Sequence, residues 1–190
     1  MSSGRARRLA LALVCLAAIG CRKAPPAPDD LGALPPFELI GTTGQPFGSR
    51  ALLGRPYVLS TFFTSCRSIC PAVMSAVRQL RARAPDLRCV SVTIDPDNDT
   101  PAVLEAYGKS YGADGDGWRL LTGDYHAIRA LLIGGFKTAV GETPSRTGQA
   151  ADDIEHSGKL MLVDGRGHLR GWFSSDAAGV EALLDATARL

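Results

Sequence analysis

The chain reads as one α/β domain: a central mixed sheet, mostly parallel, with helices on both faces and antiparallel strands added at its edges. Three observations predict this. Short β-branched and aromatic runs alternate with helical spacings through the middle of the chain. Hairpin signals bracket that alternation, one around Gly41 and one around Gly165. Of the 190 residues, 45% are apolar and 21% charged, enough for a core, which excludes disorder, collagen and coiled coil as global descriptions.

The elements follow in order. Residues 37–48 read as a β-hairpin turning at Gly41-Thr42-Thr43-Gly44. Residues 57–63 (Tyr-Val-Leu-Ser-Thr-Phe-Phe) form a buried strand. Residues 71–84 form a helix, with Val73, Met74, Val77 and Leu80 on one face and Pro71 suited to its first turn. Residues 89–94 are a strand. Thr100 caps a second helix that Pro101 opens and that runs to about Tyr111. A loop at 112–117 leads to a short strand at 118–121. Asp124 caps a third helix, with Ile128, Leu131 and Leu132 on one face. Residues 136–140 read as a further strand and 141–155 as a polar loop. Residues 160–164, a Gly165-Arg166-Gly167 turn and residues 169–173 form the second hairpin, and residues 177–190 a last amphipathic helix.

The first 20 residues are read as processed rather than folded. Arg5, Arg7 and Arg8 precede an apolar stretch at 9–20, too short to span a bilayer and suited to a signal peptide. Ala18-Ile19-Gly20-Cys21 resembles the lipobox of bacterial lipoproteins, with Ala18 where Leu is usual; Cys21 would be the lipidated first residue of the mature chain. Residues 21–36, with Pro25, Pro26, Pro28, Pro35 and Pro36, read as an extended tether, and residues 37–190 as the domain. Losing three arginines turns a net charge of +2 into 18 basic against 19 acidic groups, near −1. Nothing there marks a nucleic-acid partner.

Five cysteines stand at 15, 21, 66, 70 and 89. The first leaves with the signal and the second takes the lipid. Cys89 lies in an apolar strand and reads as an inert core thiol. Cys66 and Cys70 sit just after the first core strand, at the start of a helix. That is the thioredoxin layout, in which the positive helix N-terminus favours a thiolate. Thioredoxins, however, use Cys-x-x-Cys and a proline before the penultimate strands. This chain has Cys-x-x-x-Cys and carries His156-Ser157 there, with Pro144 the nearest upstream proline. Two thiolates and an imidazole suit copper(I), and imidazole takes copper in either oxidation state. Zinc also accepts these donors but wants a fourth. A passive disulfide and a bland loop histidine are the structural alternatives.

Four stretches now carry a resemblance: Thr64-Ser65-Cys66-Arg67-Ser68-Ile69-Cys70-Pro71; residues 91–101, Ser-Val-Thr-Ile-Asp-Pro-Asp-Asn-Asp-Thr-Pro; Trp118-Arg119-Leu120-Leu121-Thr122-Gly123; and His156-Ser157 followed by Leu162-Val163-Asp164-Gly165. In this order they resemble the Sco/SenC family of thioredoxin-like, copper-binding proteins that assist cytochrome c oxidase assembly. The resemblance implies Cys66, Cys70 and His156 as copper ligands. It also implies a redox-active Cys66–Cys70 dithiol, and as partners a copper-bearing oxidase subunit and other copper chaperones. Many members use a transmembrane anchor where this chain carries the lipobox, which points to a periplasm-facing, membrane-anchored lipoprotein. The alternative function is a periplasmic thiol-disulfide oxidoreductase. A peroxidase finds no peroxide-activating site in the sequence.

Other residues receive plainer readings. Asp95-Pro96-Asp97-Asn98-Asp99 begins like an EF-hand but has Thr100 where Gly is needed and Ala106 where Glu is needed, so it reads as a strand end, a turn and a helix cap. The functional alternative is a partner-docking or copper-site-tuning loop, since the C-terminal ends of strands in α/β sheets host sites. His126 and His168 read as exposed, and Met74 and Met161 as core.

Overall fold

The structure is a computed structural model, and it describes residues 26–137 and 158–190. Its elements are β1 (Glu38–Gly41), β2 (Pro46–Gly48), a 3-10 turn (Ser49–Leu52), β3 (Tyr57–Phe62), α1 (Cys70–Arg83), β4 (Arg88–Thr93), α2 (Pro101–Tyr111), β5 (Trp118–Thr122), α3 (Tyr125–Ala130), a π turn (Leu131–Gly135), β6 (Lys159–Val163), β7 (Leu169–Ser174) and α4 (Ala177–Thr187). The strands form one mixed sheet in the order β2-β1-β5-β4-β3-β6-β7.

β3, β4 and β5 are parallel, joined by α1 and α2; β1 joins β5 and β6 joins β3, both antiparallel. The central strands are buried on both faces, which is why β3 reads as one continuous apolar run. Its polar members are satisfied inside: Ser60 Oγ lies 2.8 Å from Ser91 Oγ, which accepts from Trp118 Nε1 at 2.9 Å. α1 buries Val73, Met74, Val77 and Leu80 over β3 and β4, with α2 and α4 beside it. Met161 and Cys89 are core residues as expected. The expected caps form: Thr100 Oγ1 accepts from Val103 N at 3.4 Å and Asp124 Oδ1 from Ala127 N at 2.8 Å.

Three expectations need correction. Phe136 and Lys137 do not start a strand. The third helix widens into the π turn, Phe136 N donates to Leu131 O at 3.0 Å, and Phe136 O accepts from Trp172 Nε1 at 3.0 Å. The ring is fully buried, so an aromatic that looks strand-forming instead plugs the core at a helix end. Residues 138–140, the rest of that expected strand, lie outside the described residues, as does the loop at 141–155.

The segment at 21–36 read as an extended tether is, from Pro28 onward, held against the domain. Leu31 N donates to Leu169 O, Leu169 N to Gly32 O, and Leu34 N to Gly167 O, at 2.9, 3.0 and 2.9 Å. Unpaired backbone groups beside the β6–β7 turn offer what a strand edge offers, and the chain takes them up. The third correction follows: His168 is half-buried, its Nδ1 2.9 Å from Asp30 Oδ2.

Candidate metal centre

β3 ends at Phe62, the loop 63–69 crosses the top of the sheet, and Cys70 is the first residue of α1. Cys66 N donates to Phe63 O at 3.2 Å, which curls the loop back toward the helix. No side-chain oxygen caps α1. Instead, Cys70 N–H donates to Cys66 Sγ at 3.4 Å, so sulfur takes the place a serine or aspartate oxygen would hold. Ser68 Oγ lies 3.6 Å from the same sulfur. The two cysteines are thiols not joined in a disulfide, and Cys66 is only 5% exposed.

The two thiols are electrostatically unequal. Burial pushes the Cys66 thiol up, but hydrogen bonds from the Cys70 thiol, Cys70 N–H and Ser68 outweigh it, and its pKa falls below the ordinary cysteine value. Cys70 goes the other way: burial first, then its hydrogen bond to Cys66, hold it protonated. One sulfur is thus prepared as a thiolate and the other as the donor that stabilises it.

The sequence offers residues 95–99 as a loop beside the site but does not single out Asp99 within it. Asp99 is buried in the loop after β4 and reaches across to the dithiol loop, accepting from Thr64 N at 3.1 Å and from Thr64 Oγ1 at 2.5 Å. Thr93 Oγ1 donates to Asp99 Oδ2, the oxygen that also accepts from Thr64 N, and itself accepts from Asp95 N at 3.0 Å. Asp95 is held by Asn98 Nδ2 at 2.9 Å. The acidic run is therefore a turn and cap, as its sequence indicates, and in addition an anchor for the chain two residues before Cys66. Strand order alone brings these loops together, because β3 and β4 are parallel neighbours. Tyr107 also lies at the site: its ring stacks on Phe62 with centroids 5.4 Å apart, and after burial and Tyr111 the charges of Cys70 and Cys66 push its phenol up.

His156 and Cys21 lie outside the described residues. Among the described residues, no group of three or more His, Cys, Asp or Glu is placed to hold a metal ion. The two described histidines lie elsewhere: His126 is exposed beside Tyr125, and His168 sits at the opposite end of the sheet. Gly158, which opens the chain into β6, lies directly against the dithiol loop. A Cβ added there would stand 2.3 Å from Ile69 Cδ1.

A dithiol between the first core strand and the first core helix, on a mixed sheet of this order, defines a thioredoxin-like dithiol protein. Comparison with known proteins narrows the class. A family model described as SCO1/SenC matches residues 26–190, and the chain belongs to that family. A Stutzerimonas stutzeri protein named for copper binding is 35% identical over 146 residues, 73% of this chain and 68% of that protein. A SCO1/SenC family lipoprotein from Bacillus anthracis has a similar structure: TM-score 0.76 and 27% identity, covering 86% of this chain and 98% of that one. Bradyrhizobium japonicum ScoI, solved with copper bound, has TM-score 0.67 and 23% identity, covering 84% and 100%. BsSco, described as having a disulfide switch and as a member of the Sco family of cytochrome c oxidase assembly proteins, has TM-score 0.72 and 22% identity, covering 86% and 98%. The last two bear on the fold. Among the described residues, no helix is long and apolar enough to cross a membrane.

Proposed function

We propose that this chain is a membrane-tethered, periplasm-facing copper chaperone. It binds one copper through Cys66, Cys70 and His156, as cargo for the copper A centre of cytochrome c oxidase. The observation that carries the reading is the pair of reduced, hydrogen-bonded thiols at the N-terminus of α1. Two soft sulfur donors suit Cu(I), and the name of the Stutzerimonas relative agrees. Support for His156 comes from Gly158, which touches Ile69 next to Cys70. Two Cα–Cα steps span at most about 7.6 Å, so a third ligand two residues before Gly158 is compatible with that loop. Lipidation of Cys21 is the proposed anchor, in keeping with the Bacillus anthracis lipoprotein.

Copper must displace the proton of Cys70, whose pKa is raised, so binding releases protons and weakens as pH falls. The test uses the chain from Arg22 onward, reduced and titrated anaerobically with Cu(I). The N-terminal stretch is kept because it pairs with the domain. One copper per chain is expected, lost in Cys66→Ala and Cys70→Ala and bound at least ~10-fold more weakly in His156→Ala.

The unequal thiols favour one second reading, a disulfide reductase. The Cys66 thiolate would attack a partner disulfide and form a mixed disulfide while one partner sulfur leaves as thiolate. Cys70, giving up its proton, would then attack Cys66 and release the partner's second thiol, leaving a Cys66–Cys70 disulfide. No tight copper, together with disulfide exchange indifferent to His156→Ala, would establish that reading instead.

A further inference from the structure

The N-terminal segment sets which way the site faces. Residues 28–34 are bound at the pole of the domain formed by the β6–β7 turn. The backbone bonds of Leu31, Gly32 and Leu34 are joined there by Asp30 to His168, and by Pro28 O accepting from Arg170. That pole is opposite the dithiol. β6 runs antiparallel to β3 with Val163 beside Tyr57, so the turn lies at the start of β3, whereas the dithiol loop follows its end. The five steps from Tyr57 to Phe62 alone separate the two by about 17 Å.

We propose that residues 28–34 are a clamp that fixes the membrane anchor to this pole. Residues 49–55 and 165–167 then face the bilayer and the dithiol faces away from it. The proposal rests on the reading of Cys21 as the lipid attachment. Chain length makes the clamp decisive. From Cys21 to Phe37, a free tether would reach about 55 Å, more than the ~40 Å diameter of a domain this size. Such a domain could turn its dithiol to the membrane. From Cys21 to Pro28 the reach is at most about 25 Å, and an inverted domain is out of range.

The surface at this pole suits anionic headgroups. Arg50, Arg55 and Arg166 are exposed, and Leu53 between the first two is 51% exposed beside Gly167. Two carboxylates there are engaged, Asp164 with Arg166 and Arg170 and Asp30 with His168, while Asp29 is exposed. Arginine stems can lie along the interface while Leu53 enters it.

The test uses the full chain, acylated in a bacterial host and reconstituted into phosphatidylethanolamine–phosphatidylglycerol vesicles containing nitroxide-headgroup lipid. A fluorophore is placed by bioorthogonal labelling at Leu53 in one sample and at Asp97, on the dithiol side, in another. Quenching several-fold stronger at Leu53 is expected. Leu31→Pro with Leu34→Pro removes two of the clamp's backbone donors, and Asp30→Ala with His168→Ala removes its side-chain hydrogen bond. Either pair should raise quenching at Asp97 toward that at Leu53. An acylated, vesicle-bound chain quenched equally at both positions overturns the orientation alone. Polarity that survives both pairs of substitutions overturns the clamp. A chain without acyl mass by intact-protein mass spectrometry overturns the anchor and the orientation with it.

Discussion

At the scale of single residues, the chemistry concentrates on Cys66, where burial and hydrogen bonding oppose one another. Burial alone would make it as inert as Cys89, whose thiol is pushed up to about 12. The donors Cys70 N–H, Cys70 thiol and Ser68 reverse the outcome. Cys66 should therefore alkylate with a pH midpoint below the ~8.5 of a free cysteine, while Cys70 and Cys89 stay unmodified in the folded protein. Ser68→Ala should move that midpoint upward, and mass mapping of iodoacetamide adducts across a pH series checks both. A Cys66 that reacts no earlier than a free thiol would remove the basis for an activated sulfur. The spacing of Cys66 and Cys70 was legible in the sequence because it lies within one helical turn. Their inequality was not, since it depends on how deeply each sulfur is buried.

At the scale of elements, two contacts between segments hold the site. Asp99 joins the loop after β4 to the loop after β3. Asp99→Ala strands the Thr64 N–H and two hydroxyls without their acceptor and should cost about 2–3 kcal/mol. Urea unfolding would show this as a lower midpoint at unchanged slope, and hydrogen exchange should accelerate at the Thr64 amide. Loss of stability without faster exchange at Thr64 would deny the anchoring role. The second contact is Gly158 against Ile69. Gly158→Ala should displace the dithiol loop and weaken Cu(I) binding, and adding Ile69→Ala should restore much of it. A coupling of roughly 0.5–3 kcal/mol is expected for residues in contact; simple additivity would mean the two do not meet. Helix starts were readable where the signal is local, as at Thr100-Pro101 and Asp124. Phe136 was misread because its partner, Trp172, is distant in sequence.

At the scale of the whole molecule, the pole opposite the dithiol is knotted around Asp164. Its carboxylate accepts from Arg166 N and His168 N at 2.9 Å each and from Arg170 Nη1 at 3.1 Å. Burial pushes its pKa up, but the His168 and Arg166 amides and the charge of Arg166 outweigh this and lower it. A carboxyl whose folded pKa is depressed adds stability that is present in full above its unfolded value, ~3.9, and is lost as pH falls through the folded value. Wild type should therefore lose stability in acid more steeply than Asp164→Asn. That variant should in turn be about 2–3 kcal/mol less stable at neutral pH, because it leaves Arg170 with only the more distant Asp30, at 3.8 Å, as a charged partner. Thermal melts across a pH series test both. Equal pH profiles for the two proteins would show that Asp164 is not linked to folding.

The division between what was legible and what was not follows sequence distance. The strand–helix alternation, both hairpins, the caps and the Cys66–Cys70 pair at a helix start were all determined by neighbours a few residues apart, through periodicity, turn chemistry and backbone capping. The tertiary structure alone decided that Asp99 lies under Thr64, that Gly158 lies against Ile69, and that residues 28–34 close on the β6–β7 turn. Each of these joins segments far apart in the chain, and only strand order and burial bring such segments within a hydrogen bond of one another.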